Sequence, residues 1–227
     1  MAPVSKKTPS RRTPTPSAGT EPRRDCPLCP RLVDFRREAE TRLPGAHNAP
    51  VPSFGDQDAR LLIVGLAPGL NGANRTGRPF TGDYAGDLLY ATLLKFKFAK
   101  GTYRADPADG LKLVDCMITN AVRCVPPENK PTGAEIVTCR QFLGATLSAM
   151  PKLKAIIALG RIAHDSTVRA MGSSPSRHVF GHAKAHEIGG IQLFDSYHCS
   201  RYNTNTGRLT AAMFENVFTL ARKAIDS

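Results

Sequence analysis

Four short apolar runs constrain this fold more than any other feature: Leu61-Leu62-Ile63-Val64, Met117-Ile118-Thr119, Ala155-Ile156-Ile157-Ala158-Leu159 and Ile191-Gln192-Leu193-Phe194. Nearly continuous apolar runs bounded by turn residues read as strands buried on both faces, since no polar side chains alternate with them. Helical patterns flank them at Leu32 to Arg42, Tyr84 to Lys97, Thr132 to Ser148, Ile162 to Met171 and Leu209 to Ile225. Strands alternating with helices imply right-handed crossovers. The expected fold class is therefore α/β, three layers (α/β/α) around a central, mostly parallel sheet. At 227 residues the chain suits one well-cored domain. In such sheets ligands bind beyond the carboxyl ends of the strands. The segments following the four runs are Gly65-Leu66-Ala67-Pro68-Gly69, Asn120-Ala121-Val122-Arg123-Cys124, Gly160-Arg161 and His198-Cys199-Ser200. That order puts the candidate chemistry on one edge of the sheet.

Lys and Arg number 31 against 19 Asp and Glu, a formal charge of +12. Such an excess suits a polyanion, because neutralised phosphates release counterions. Part of it lies in residues 1–24, which hold Lys6, Lys7, Arg11, Arg12, Arg23 and Arg24 against Glu21 and include five prolines. That segment is too poor in apolar residues to offset its ordering entropy, so it is expected to be a disordered basic tail, with one domain over 25–227. No run of about 18 apolar residues exists, which excludes a membrane-spanning helix. The tail lacks the apolar core of a secretory signal, and six cysteines then point to a reducing compartment.

Cys26 and Cys29 are spaced so that two thiolates on one turn face a common metal, and Cys124 and Cys139 are separated by fourteen residues including a proline-rich bend. Four cysteines suit tetrahedral zinc or a [4Fe–4S] cluster, and spacing alone leaves both open. The second pair is too wide for a zinc ribbon. A zinc deaminase needs an H-x-E motif, and none is present. Cys116 reads as a buried strand thiol. His178, His182 and His186 include an H-x-x-x-H pair, but Gly181 and strand-like flanks argue against the helix that would make it a metal site.

Two longer stretches remain. Residues 65–83 (GLAPGLNGANRTGRPFTGD) are Gly-rich, follow a strand and precede a helix, and match neither a P-loop nor a dinucleotide fingerprint. Residues 198–210 (HCSRYNTNTGRLT) are small, polar and basic, and lead into the last helix. In this order, with Thr119-Asn120-Ala121-Val122-Arg123-Cys124-Val125-Pro126-Pro127 and the four cysteines, they resemble the uracil-DNA glycosylase superfamily. The closest likeness is to family 5, the type B enzymes with an iron–sulfur cluster, and it runs from Cys26 to the last helix.

The resemblance implies a DNA-repair glycosylase that hydrolyses the N-glycosidic bond of uracil, and of other deaminated bases such as hypoxanthine or xanthine. It also implies a monomer acting on double-stranded DNA in the cytoplasm, at the nucleoid. Cys26, Cys29, Cys124 and Cys139 would hold a [4Fe–4S] cluster, with zinc the less favoured occupant. Phe80 matches the aromatic that stacks on the flipped base, and Asn120 the strand-end amide that reads its edge. Gly65, Leu66 and Ala67 would line the base site. His198 matches the histidine that supports charge on the base O2. Asp83 matches the catalytic carboxylate, although as a helix N-cap it would need no catalytic role. Asp87 is a weaker candidate. Arg75, Arg78, Arg201, Tyr202 and Arg208 are the expected DNA contacts.

Leu66 stands where related glycosylases outside family 5 carry a water-positioning polar residue. Cys199 replaces the usual proline after the motif histidine, a change expected to loosen that loop, and Gly69 replaces a common alanine. Those departures leave one rival, a non-catalytic damage-binding or scaffold protein of the same fold. A zinc-stabilised nucleic-acid-binding domain is a third, more distant reading.

Overall fold

The computed structural model describes residues 19–227. In chain order the elements are α1 (Pro30–Arg42), β1 (Phe54–Gly55), β2 (Leu61–Gly65), α2 (Ala73–Thr76), α3 (Tyr84–Lys95), β3 (Ala99–Lys100), β4 (Lys112–Leu113) and β5 (Cys116–Asn120). A 3-10 turn at Pro127–Asn129 leads to α4 (Gly133–Ser148), β6 (Ala155–Leu159), α5 (Arg161–Ala170), β7 (Ala185–Ile188), β8 (Ile191–Ser196), α6 (Arg201–Asn205) and α7 (Ala211–Asp226).

The four apolar runs become β2, β5, β6 and β8, which pair in parallel in the order β5-β2-β6-β8. Strands β1 and β7, neither among the four apolar runs, close the two edges antiparallel. The first crossover runs from β2 to one side and the next returns past it to β6, so the chain reverses direction about β2. Alternate residues of β2 face opposite layers. Leu61 and Ile63 pack with Leu89 of α3 and Phe214 and Phe218 of α7. Leu62 and Val64 pack with Leu143 of α4 and Ala163 and Val168 of α5. Every residue of β2, β5 and β6 is buried, and each large aliphatic so buried contributes roughly 1.5–3 kcal/mol. This explains why these runs show no period of two.

Local chemistry sets the helix starts. Thr132 and Glu135 form a reciprocal capping box at α4, and Thr210 caps α7. Pro30 opens α1 directly after Cys29, where its missing N–H costs nothing. Of the expected tail, residues 1–18 lie outside the described residues. Its inner end needs correction: Thr20 and Glu21 dock on the domain. Glu21 Oε2 accepts from Arg123 Nη1 at 2.9 Å and Oε1 from the Ser53 amide at 3.1 Å, because buried Arg123 requires a counter-charge. No helix among the described residues is long and apolar enough to cross a membrane.

Candidate active site

At the carboxyl end of the sheet, Gly65 of β2 and Asn120 of β5 are register partners, which sets the two segments side by side. A cavity of about 500 Å³ opens above them, walled by the loop after β2, Phe80, Asp83, Asn120 and His198. Gly65 cannot be larger, since a Cβ there would collide with Asn120 Oδ1 and the Phe80 ring. Asn120 is 2% exposed, and its Oδ1 has no hydrogen-bond partner among the described residues. A buried, unpaired amide oxygen costs about 1–3 kcal/mol, a cost a ligand at the floor of the cavity would relieve. Leu66 and Ala67 also line the cavity.

Phe80 adopts a left-handed backbone (φ 53°), which a phenylalanine tolerates only when its surroundings enforce it. The enforcing contacts come from residues the sequence reading did not link to the site. Tyr103 Oη donates to Phe80 O at 3.2 Å and Tyr90 Oη to Pro79 O at 2.8 Å. Arg78 is the centre of this brace and not a DNA contact. It is 5% exposed, bidentate to Asp109 at 2.8 Å on both oxygens, and surrounded by the rings of Phe54, Tyr90 and Tyr103. Asp109 lies 31 residues away in a stretch without motif character, so only the fold pairs the two.

Asp83 holds two positions at once. Its Oδ1 accepts the Gly86 amide at 3.1 Å and caps α3, as the structural alternative required. Its Oδ2 lies over the Gly-rich loop, where a Cβ on Gly72 would come within 2.5 Å of it. Burial pushes the Asp83 carboxyl above the ordinary carboxylate range; the Gly86 amide opposes this, and Asp87 adds to it. His198 stacks against Phe80 with ring centroids 6.0 Å apart. Burial pushes its imidazole down to about 4, so it is neutral at pH 7. Asn203 Nδ2 donates to the His198 carbonyl at 2.8 Å and holds the loop. Cys199, the residue expected to loosen this loop, is buried, with Sγ 3.5 Å from Ala85 O at the start of α3.

Of the other expected DNA contacts, Arg201 lines the cavity, stacked at 5.3 Å on Tyr84, which lines it too. Tyr202 is 72% exposed at the tip of α6. Arg75 and Arg208 are exposed, and Arg208 lies over the Tyr197 ring at 4.7 Å. Asn129, which the sequence reading passed over, lines the same cavity from a backbone at φ 56°.

A 171-residue stretch, residues 52–222, matches the family model of the uracil DNA glycosylase superfamily. The chain belongs to the uracil-DNA glycosylase superfamily. Similar superfamily members include the type-5 uracil-DNA glycosylase of Thermus thermophilus, 43% identical over 204 residues, or 87% of this chain and 93% of that one. The type-5 enzyme of Mycobacterium leprae is 44% identical across 87% of this chain and 90% of its own. That of Pyrobaculum aerophilum is 36% identical over 89% of both. A type-4 uracil-DNA glycosylase of P. aerophilum is 31% identical over 75% of the chain. The superfamily fold expected from the sequence, a mostly parallel sheet between helices, is the one observed.

Away from the cavity, Cys26, Cys29, Cys124 and Cys139 converge around Leu32, Val122 and Phe142. All four are free thiols. Burial raises Cys124 to about 12 and Cys139 to about 11, and the neighbouring thiols add to both shifts. A cation binding their deprotonated forms removes that penalty, so the donor set fits a thiophilic metal centre. His186 lies on β7, with His178 and His182 in the loop before it, so the H-x-x-x-H helix does not form. Instead, Asp195 Oδ1 bonds His164 Nδ1 at 2.6 Å, and its Oδ2 bonds His186 Nε2 at 2.9 Å.

Proposed function

We propose that this protein is a monofunctional glycosylase that removes uracil from double-stranded DNA and leaves an abasic site. The observation that carries the reading is the unpaired Asn120 amide on the cavity floor, with Phe80 and neutral His198 beside it. A flipped uracil stacks on Phe80 and supplies Asn120 with the complementary edge of an imide. Water adds across the bond: its oxygen joins C1′, the C1′–N1 bond breaks, and the bonding pair leaves on the base. His198 donates a hydrogen bond to the base O2 as negative charge builds there. Asp83 Oδ2 accepts the water proton, which the departing base takes up afterwards. Among the described residues the cavity lining includes no lysine, and the reading is hydrolysis rather than Schiff-base chemistry.

The cavity lies within the roughly 300–1,000 Å³ typical of small-molecule sites, leaving room for a deaminated purine such as hypoxanthine or xanthine. Arg75, Arg201 and Arg208 contact phosphates, and Tyr202 enters the space the base vacates. Cys26 and Cys29 before α1, Cys124 after β5 and Cys139 on α4 would hold a [4Fe–4S] cluster, which would tie these segments together. Tetrahedral zinc is the less favoured occupant of the same four thiolates. The protein is expected to work as a monomer at the cytoplasmic nucleoid.

The test uses a labelled duplex with one deoxyuridine, followed by alkali. Wild-type protein is expected to yield a cut at that site, with single-turnover cleavage lowered about 100-fold in Asn120→Ala, as for a site left with an unmade buried hydrogen bond. Tight abasic-site binding with no cleavage of uracil or hypoxanthine duplexes would overturn the enzyme reading in favour of a damage-binding protein.

A further inference from the structure

Three arginines are buried among the described residues: Arg36, Arg78 and Arg123. Arg78 is paired with Asp109 and Arg123 with Glu21. Arg36, on α1, is 6% exposed and has no carboxylate partner among the described residues. Its Nη2 donates to Cys26 O at 2.7 Å and its Nη1 to Arg24 O at 3.2 Å, both neutral acceptors. Its Nε is buried with no partner. A guanidinium taken from water without a counter-ion is unfavourable by several kcal/mol, so a nearby anion is required.

The candidate anion is the cysteine set. Arg36 lines the same small hollow as Cys26, Cys29, Cys124 and Cys139. It follows Cys29 by seven residues, two helical turns, and so returns to the face of α1 that Leu32 buries against these thiols. Its charge reaches both Cys29 and Cys124. Four thiolates around a [4Fe–4S] core of charge +2 leave a net −2, the missing partner for Arg36. Arg123 lines this hollow too, and its amide lies 3.3 Å from Cys139 Sγ, but Glu21 already balances its charge.

We propose that Arg36 is the built-in counter-cation of the cysteine-bound cluster, raising its reduction potential and slowing its loss. The inference rests on the cluster assignment of the preceding section. A cation beside a cluster favours the more negative, reduced state, and net charge is among the factors that set such potentials.

The test compares full-length wild type with Arg36→Gln, Arg36→Lys and Glu21→Gln by iron content, voltammetric midpoint and chelator-driven bleaching near 400 nm. Arg36→Gln is expected to move the midpoint to more negative potential and bleach about tenfold faster, within the range known for outer-shell partners of metal sites. Arg36→Lys is expected to restore both. Glu21→Gln, which leaves the Arg123 charge uncompensated, is expected to shift the midpoint the opposite way. A merely structural role would lower thermal stability without producing shifts of opposite sign. If Arg36→Gln holds no cluster while Arg36→Lys does, the charge requirement stands; if neither does, the proposal fails. An iron-bearing Arg36→Gln with the wild-type midpoint and bleaching rate also overturns it. A wild type without iron is a different failure, that of the cluster assignment itself.

Discussion

Asp83→Asn removes a negative charge from the cavity while leaving an oxygen to accept the Gly86 amide at the start of α3. Asparagine and aspartate are nearly equal as N-caps, whereas alanine at such a position costs about 0.5–2 kcal/mol. In a chain of this size that corresponds to roughly 1–8 °C in melting temperature. Asp83→Ala therefore loses cap and carboxylate together, and Asp83→Asn loses the carboxylate alone. General-base catalysis contributes typically 10²–10⁴-fold, about 3–5 kcal/mol of barrier. The expected outcome is a melting temperature near wild type for Asp83→Asn, with single-turnover uracil release slowed by about that factor. Burial raises the Asp83 carboxyl, so wild-type activity should climb with pH through a limb above the ordinary carboxylate range, and the limb should vanish in Asp83→Asn. The assay is alkali-revealed cleavage of a deoxyuridine duplex from pH 4 to 8, alongside thermal melts. If Asp83→Asn cleaves within about threefold of wild type while Asp83→Ala melts early, Asp83 is a cap and nothing more.

Two further outcomes follow from the buried ion pairs. Arg78→Ala leaves Asp109 buried and unpaired, a loss of about 3–5 kcal/mol by thermal or urea melt, while Arg201→Ala leaves stability near wild type and reduces the salt slope of DNA binding by about one; equal salt slopes for the two would return Arg78 to the DNA surface. For His164, burial lowers the imidazole, but the Asp195 carboxylate and the His178 carbonyl outweigh it, and the net shift is upward. A raised histidine contributes stability that is complete below its unfolded value of about 6.5 and is lost as pH rises through the folded value. Urea midpoints should therefore fall across that window more steeply in wild type than in His164→Gln; parallel profiles would show that His164 titrates alike folded and unfolded.

Much of the fold was legible because both faces of a parallel strand are buried, which leaves an apolar run no local alternative. The same runs located the site, since their carboxyl ends carried Gly65, Asn120 and His198. The edge strands β1 and β7 were not legible, being short and half exposed, with pairing that depends on neighbours far along the chain. Nor was the role of Arg78: in sequence it is another cation in a Gly-rich basic loop, indistinguishable from Arg75. Only the packing of the β2 loop onto Asp109, Tyr90 and Tyr103 turns one arginine inward and leaves the other in solvent.

The sequence by itself determined which segments become strands, because an apolar run buried on both faces is a local property of the chain. The four cysteines were grouped by the family resemblance, and only folding brings Cys26 and Cys29 to Cys124 and Cys139. The tertiary structure decided the charges. Whether Asp83 is raised, His198 lowered, Arg123 balanced by Glu21 or Arg36 left without a carboxylate depends on desolvation and on partners up to 102 residues away. Those terms vary with distance and dielectric, and neither exists until the chain has folded.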